Sequence, residues 1–168
     1  GIIFGNEPGD IILHEHGPRG GDEINVIRER DSIREEPLLT RNYGWPIVSN
    51  GINYNGTSFT NLTSMEGTES PLYFWTPSIA PSGLVMLTSD IYDEWKGNLF
   101  IGSLRFRYLE RVELIGNYVY KREKLLDRVG RVREVVQGPD GYLYVGIENK
   151  GVFKIIPSKV YIENDISE

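Results

Sequence analysis

The chain has 168 residues, of which 39% are hydrophobic and 25% are charged, the composition of an ordinary water-soluble globular protein. Its formal net charge of -6 argues against nucleic acid as a general partner, because phosphate binding needs a basic surface. The chain has no cysteine, which excludes disulfides and thiolate metal sites. No apolar run approaches the roughly 20 residues that a membrane-spanning helix needs.

Short apolar runs alternate with glycines and prolines along the chain, which predicts an all-β sandwich, barrel or propeller. The first strands are predicted within residues 9–27. His14 and His16 are two positions apart there, so on a strand they share one face. This spacing indicates either a metal site or a polar strand end with a glycine turn, and on spacing alone we favour the turn. Asp22 and Glu23 suit a hard cation better, since Ca²⁺ takes carboxylate and carbonyl oxygens.

Residues 40–78 are predicted to form a long loop, because Gly, Pro, Asn and Ser occur throughout. Two segments in this part of the chain, Asn42–Pro46 and Phe74–Gly83, combine aromatic residues with proline. Each is typical of a rigid turn with a buried tryptophan. The alternative for the second segment is a stacking wall for a flat ligand.

A repeat follows, in which the string GNLFIGS resembles the string GYLYVGI, with 44 positions between Gly97 and Gly141. This period is that of a propeller blade. Together with a weaker copy near the start, it predicts blade parts at about 9–27, 79–125 and 131–157. These amount to about two and a half blades of four-stranded antiparallel sheet in one domain, 1–168. A closed propeller has at least four blades, so we expect this chain to be one part of a larger assembly.

Arg131 and Arg133 are predicted to lie on the same side of a strand, with Arg105 one blade earlier. Guanidinium groups bind carboxylates through paired hydrogen bonds, so this pattern fits a ligand with several carboxylates. The alternative is a solvated sheet edge with salt bridges to Asp127 or Glu134.

Taken in order, several strings resemble the soluble aldose sugar dehydrogenases that depend on pyrroloquinoline quinone (PQQ), the glucose/sorbosone dehydrogenase family. They extend from about residue 9 to residue 156, and they are HEHGPRGGDEIN, NYGWP, GINYNG, WTPSIAPSG, GNLFIGSL, GRVREV and QGPDGYLYV. The resemblance implies the C-terminal part of a six-bladed β-propeller with PQQ in its central cavity. It also implies a periplasmic or secreted location and an aldose sugar as substrate.

The resemblance further implies a role for individual residues. The Glu23 side chain and the Tyr43 carbonyl match a calcium site. Arg131 and Arg133 match the pair that grips the PQQ carboxylates, and Arg105 matches a position that faces the cofactor. The remaining cofactor-binding residues match a PQQ-lining loop and an aromatic beside the active-site mouth, and they are Tyr54, Asn55, Gly56 and Trp75.

Two features depart from the family pattern. The charged segment Arg28–Leu39 is longer than the usual link between the two calcium residues. The family's base, which takes the proton of the anomeric hydroxyl while a hydride passes to PQQ, is a histidine of the N-terminal half, and neither His14 nor His16 matches it. We therefore expect this chain to supply PQQ- and calcium-binding elements and to be inactive alone. Its expected partner is the missing half or another copy. The alternatives are a non-catalytic propeller that serves as a binding module, and an inactive truncated fragment.

Overall fold

The computed structural model describes residues 1–5, 7–28, 41–116 and 118–158. Of the charged segment Arg28–Leu39, all but Arg28 lies outside the described residues. Within the described part of the chain no helix has the length and apolar character to cross a membrane. The chain divides into two compact units, one built mainly from Gly1–Pro81 and the other mainly from the chain after Pro81.

The first unit contains a sheet of four strands in the order β1-β2-β3-β4. Successive strands pair antiparallel, which aligns Glu15 with Glu23 and Asp22 with Trp75. Ile12 and Ile24 are buried on this sheet. The strands are β1 (Ile2–Phe4), β2 (Ile11–Glu15), β3 (Asp22–Ile27) and β4 (Tyr73–Trp75).

This sheet contains two more strands than residues 9–27 provide. β1 precedes that range, and β4 lies inside the segment 40–78 that was expected to be a loop. β4 has only three residues between Pro71 and Pro77, too short a run to show an alternating pattern. Between residues 41 and 72 the described chain forms turns, with one isolated bridge that pairs Arg19 with Ile52.

The second unit contains most of a four-stranded sheet, in the order β5-β6-β7-β8, and a three-stranded sheet in the order β11-β10-β9. The repeated strings form β6 and β10, an inner strand of each sheet. The antiparallel sheets confirm the predicted all-β, propeller-type fold class. The strands are β5 (Pro81–Met86), β6 (Leu99–Ser103), β7 (Leu109–Ile115), β8 (Tyr118–Leu125), β9 (Val132–Gln137), β10 (Leu143–Ile147) and β11 (Gly151–Lys154), with a 3-10 helix at Asp93–Trp95.

The core of the second unit lies where these sheets pack together. Phe100 from β6 and Val132 and Val135 from β9 are fully buried in one apolar cluster. The Ser82 hydroxyl of β5 donates a hydrogen bond to the Val132 carbonyl at 2.6 Å. This packing fixes the start of β9, where the predicted arginine pair lies.

The close approach of β5 to β9 depends on Gly83. A Cβ atom there would lie 2.3 Å from the backbone nitrogen of Val135, which cannot move without displacing β9. We expect Gly83→Ala to lower the free energy of unfolding by about 1–3 kcal/mol, the usual cost of overpacking. The matched control is Gly146→Ala in β10, where the nearest atom would be 3.6 Å away. Urea denaturation compares the two variants, and equal stability would contradict the packing described.

Candidate functional site

Two carboxylates lie side by side where β2 ends and β3 begins. Glu15 and Glu23 are direct partners in the strand register, and the side-chain amide of Asn25 donates to both, at 2.7 Å to Glu15 and 3.5 Å to Glu23. Burial raises the pKa of Glu23, and the negative charge of Glu15 raises it further, while hydrogen bonds from Asn25 and Asn50 oppose the rise. Like charges directly opposite each other destabilise a strand pair, so this pair favours a bound cation.

A cavity of about 330 Å³ opens beside these carboxylates. Glu23 and Tyr43, the two residues predicted to bind calcium, both line it, and Glu15, Trp45 and Ser49 line it as well. Carboxylate and carbonyl oxygens are the donors that Ca²⁺ takes. Nearby, the Asn25 Oδ1 atom is buried and accepts no hydrogen bond in the described structure. These donors fit a calcium ion. No cluster of three or more His, Cys, Asp or Glu side chains suited to a metal occurs among the described residues, so further donors would be carbonyls or water.

Asp22 has a structural role beside this cavity. Its side chain is 1% exposed, and its two oxygens accept hydrogen bonds from the backbone N–H groups of Gly17 at 2.9 Å and Ala80 at 2.8 Å. The two histidines also have protein partners: His14 Nδ1 lies 3.2 Å from the amino group of Gly1, and His16 Nε2 lies 2.6 Å from the Pro81 carbonyl. These contacts favour the interpretation of this segment as a polar strand end and turn.

The predicted PQQ-lining loop is a tight turn in the first unit. The N–H of Gly56 donates to the Asn53 carbonyl at 2.9 Å, and the Asn55 side chain accepts from the Thr57 N–H at 3.0 Å. Gly56 has φ +90, which only glycine adopts easily. The ring of Tyr54 is exposed.

Trp75 is buried, with 3% of its surface exposed, and its ring packs edge-on against Tyr73 at 5.3 Å. Within the first unit this burial favours core packing over a stacking wall for a flat ligand. Trp45, expected to be a buried tryptophan in a rigid turn, is instead exposed beside the 330 Å³ cavity and contacts Phe59 edge-on.

The arginine pair at the start of β9 converges on one carboxylate. Arg131 Nε lies 3.2 Å from Glu148, and Arg133 donates to the other oxygen of the same carboxylate. The hairpin of β9 and β10 brings them together: the register shifts at Gly146 and Ile147, and the Glu148 N–H donates to the Arg131 carbonyl at 2.9 Å. Both guanidinium side chains remain about half exposed, at 45% and 50%.

The carboxylate that pairs with the two arginines is Glu148, and not Asp127 or Glu134, the two predicted alternatives. Asp127 pairs with Arg128, and a Glu134 oxygen accepts from the Val135 N–H. The hydrogen bond from Arg133 lowers the pKa of Glu148, and the charges of Arg131, Arg133 and Arg107 lower it further. The Arg105 guanidinium lies over the Phe106 ring, 5.2 Å from its centroid.

Sequence reasoning missed Glu15 and Glu148. Hairpin register places both residues, since Glu15 pairs with Glu23 and Glu148 follows the strand that pairs with β9, and that register is not visible in the sequence.

The chain is similar to known proteins along most of its length. The family model described as Glucose / Sorbosone dehydrogenase matches residues 1–155. The aldose sugar dehydrogenase YliI of Escherichia coli (strain K12) is 41% identical over 138 residues, which are 80% of this chain and 34% of that protein.

Two solved structures show the same fold. A crystal structure of a glucose dehydrogenase superposes with a TM-score of 0.80 at 38% identity, over 93% of this chain and 44% of that one. The PQQ-bound form of an aldose sugar dehydrogenase from Streptomyces coelicolor has a TM-score of 0.57 at 23% identity, over 88% and 37% of the two chains, and is similar in fold. The chain spans about a third of the length of the curated relatives that it matches. It belongs to the glucose/sorbosone dehydrogenase family.

Proposed function

We propose that this chain is the part of a quinoprotein aldose dehydrogenase that holds PQQ and Ca²⁺. The observation that carries the proposal is the convergence of Arg131 and Arg133 on one carboxylate. PQQ is a planar tricarboxylate, and guanidinium groups are the side chains best suited to bind such an anion. When bound, PQQ would accept the hydride from the anomeric carbon of the sugar.

In this proposal the arginines bind and orient the cofactor. Each guanidinium has five N–H donors, and contact with Glu148 uses only some of them, so both retain donors for a ligand carboxylate. Their positive charges also favour negative charge that develops on a bound acceptor. Arg105, in the same unit, is proposed to face the cofactor as well.

The proposed calcium site is Glu23 with the Tyr43 carbonyl, and Ca²⁺ should stabilise the protein through it. A ligand at 100 times its Kd stabilises the folded state by about 2.7 kcal/mol. We expect Ca²⁺ to raise the melting temperature by several degrees, and Glu23→Gln to abolish most of that rise. The matched control is Asp90→Asn, an exposed carboxylate that pairs with Lys96. An equal Ca²⁺ response in both variants, measured by differential scanning calorimetry, would place the ion elsewhere.

The base that takes the proton from the sugar is proposed to come from another part of the propeller. The two histidines of the chain, His14 and His16, are engaged by Gly1 and Pro81. In this proposal the present chain by itself binds the cofactor without oxidising aldoses, and its partner is a polypeptide that supplies the rest of the propeller, or a second copy. A periplasmic or secreted location is part of the same proposal.

Equilibrium dialysis with PQQ and Ca²⁺ tests the cofactor role directly. The purified chain should retain PQQ, with weaker binding when Ca²⁺ is replaced by a chelator. Retention equal to that of an unrelated protein of similar net charge would contradict the proposal.

One observation favours a second candidate, a non-catalytic propeller that binds another molecule. Glu148 already provides the arginine pair with a counter-ion, so the pair does not require PQQ in order to be stable. A protein of this kind would show no PQQ retention in the dialysis experiment and would still fold cooperatively.

A further inference from the structure

The arginine pair holds two like charges close together on a half-exposed surface. Arg131 and Arg133 are separated by a single residue, and both contact the Glu148 carboxylate, one through each oxygen. Like charges repel, and long arginine side chains have many rotamers when nothing holds them. A carboxylate that bridges the two guanidinium groups therefore restricts both their separation and their orientation.

Glu148 is itself well fixed by the backbone. It follows the register shift at the end of β10, and its N–H donates to the Arg131 carbonyl at 2.9 Å. The turn continues through Asn149, at φ +59, to Lys150, whose N–H donates to the Ile147 carbonyl at 3.0 Å. The hydrogen-bonded hairpin thus fixes the backbone from which the Glu148 side chain extends.

The contacts with Glu148 leave part of each arginine available. Arg131 is held through Nε and Arg133 through an Nη atom, so each guanidinium has other N–H groups. Both side chains are also about half exposed, whereas Glu148 is 29% exposed. These remaining N–H groups can donate to a second anion.

We propose that Glu148 is a positioning residue that holds Arg131 and Arg133 at a fixed spacing and thereby preorganises them for a polycarboxylate ligand. The inference rests on the proposed function, in which that ligand is PQQ. A positioning role and a simple counter-ion role predict opposite effects of removing Glu148 on anion binding. If Glu148 acts only through its charge, its removal makes the site more positive and strengthens anion binding. If it positions the arginines, its removal weakens binding, because the ligand must then order both side chains.

The test is equilibrium dialysis of PQQ against the full chain, the variant Glu148→Gln and the charge-matched control Asp127→Asn, whose carboxylate pairs with the exposed Arg128. We expect Glu148→Gln to bind PQQ about tenfold more weakly, since ordering each freed side chain has a free-energy cost. The control should bind as the unchanged chain does.

A second variant, Glu148→Asp, separates the effect of side-chain geometry from that of charge. It also keeps the proposal testable if Glu148→Gln does not fold. Glu148→Asp keeps the charge but shortens the reach by one methylene, so it should also weaken binding, by less than Glu148→Gln does. If the unchanged chain binds PQQ and both variants bind it as tightly or more tightly, the positioning role is overturned, while the proposed function stands. If the unchanged chain retains no PQQ, the proposed function fails, and the positioning role fails with it.

Discussion

Replacing Arg122 with methionine is expected to lower the free energy of unfolding by about 3–5 kcal/mol, the usual cost of breaking a buried ion pair by removing one of its charges. Arg122 in β8 donates from Nε to Glu110 in β7 at 2.6 Å, and Nη2 contacts the same oxygen. Glu110 is 1% exposed. Methionine fills much of the arginine volume, so the expected loss reflects the charge rather than a cavity.

The matched control is Arg128→Met, which removes an arginine paired with Asp127 at 3.8 Å, where the two side chains are 90% and 63% exposed. Exposed pairs of this kind contribute at most about 1 kcal/mol. Urea denaturation of both variants provides the comparison. A loss below about 1 kcal/mol for Arg122→Met would mean that Glu110 finds water or another partner.

The largest expected effect on binding comes from replacing both Arg131 and Arg133 with glutamine. Hydrogen bonds to charged groups each contribute about 1.5–3 kcal/mol, so two lost contacts should weaken PQQ binding on the order of 10³-fold. Glutamine keeps a hydrogen-bond donor, so the experiment isolates the guanidinium charge and its paired geometry.

Net charge alone also affects the binding of an anion, and the control must match it. The double variant Lys121→Gln with Arg128→Gln removes two exposed positive charges elsewhere in the second unit. Its binding should fall only slightly, and the difference from the unchanged chain should disappear at high salt. If both double variants weaken binding equally, the anion is attracted by overall charge and not gripped by the pair.

The strands of the repeat could be predicted from the sequence pattern. The two copies of the repeat form β6 and β10, because short runs of large apolar residues bounded by turn glycines favour buried strands. β4 was missed since its three residues, Tyr73–Trp75, are held by pairing with β3 and have little local signal. Pairing partners that are distant in sequence determine such a strand, and no single segment contains that information.

The sequence predicted some residues of the candidate sites, but not the partners of those residues. Arg131 and Arg133 were found from alternation, and the structure brings their side chains to one carboxylate. The identity of that carboxylate depends on the register of a hairpin, so Glu148 was missed. Asp22 looked like a cation ligand, but its oxygens bind backbone N–H groups, including that of Ala80, 58 residues away. Hydrogen bonds over such separations depend on the fold and are not visible in composition or spacing.

Dye-linked aldose oxidation by a chimera tests the central claim most directly. In the chimera, the present chain replaces the matching segment of the E. coli aldose sugar dehydrogenase. PQQ and Ca²⁺ are added to the assay. We predict turnover by the chimera, none by the present chain alone, and loss of turnover when both Arg131 and Arg133 are changed to glutamine. Robust turnover by the chain alone would contradict the claim that the base comes from elsewhere. A folded chimera without turnover would contradict the claim that this chain holds PQQ for catalysis.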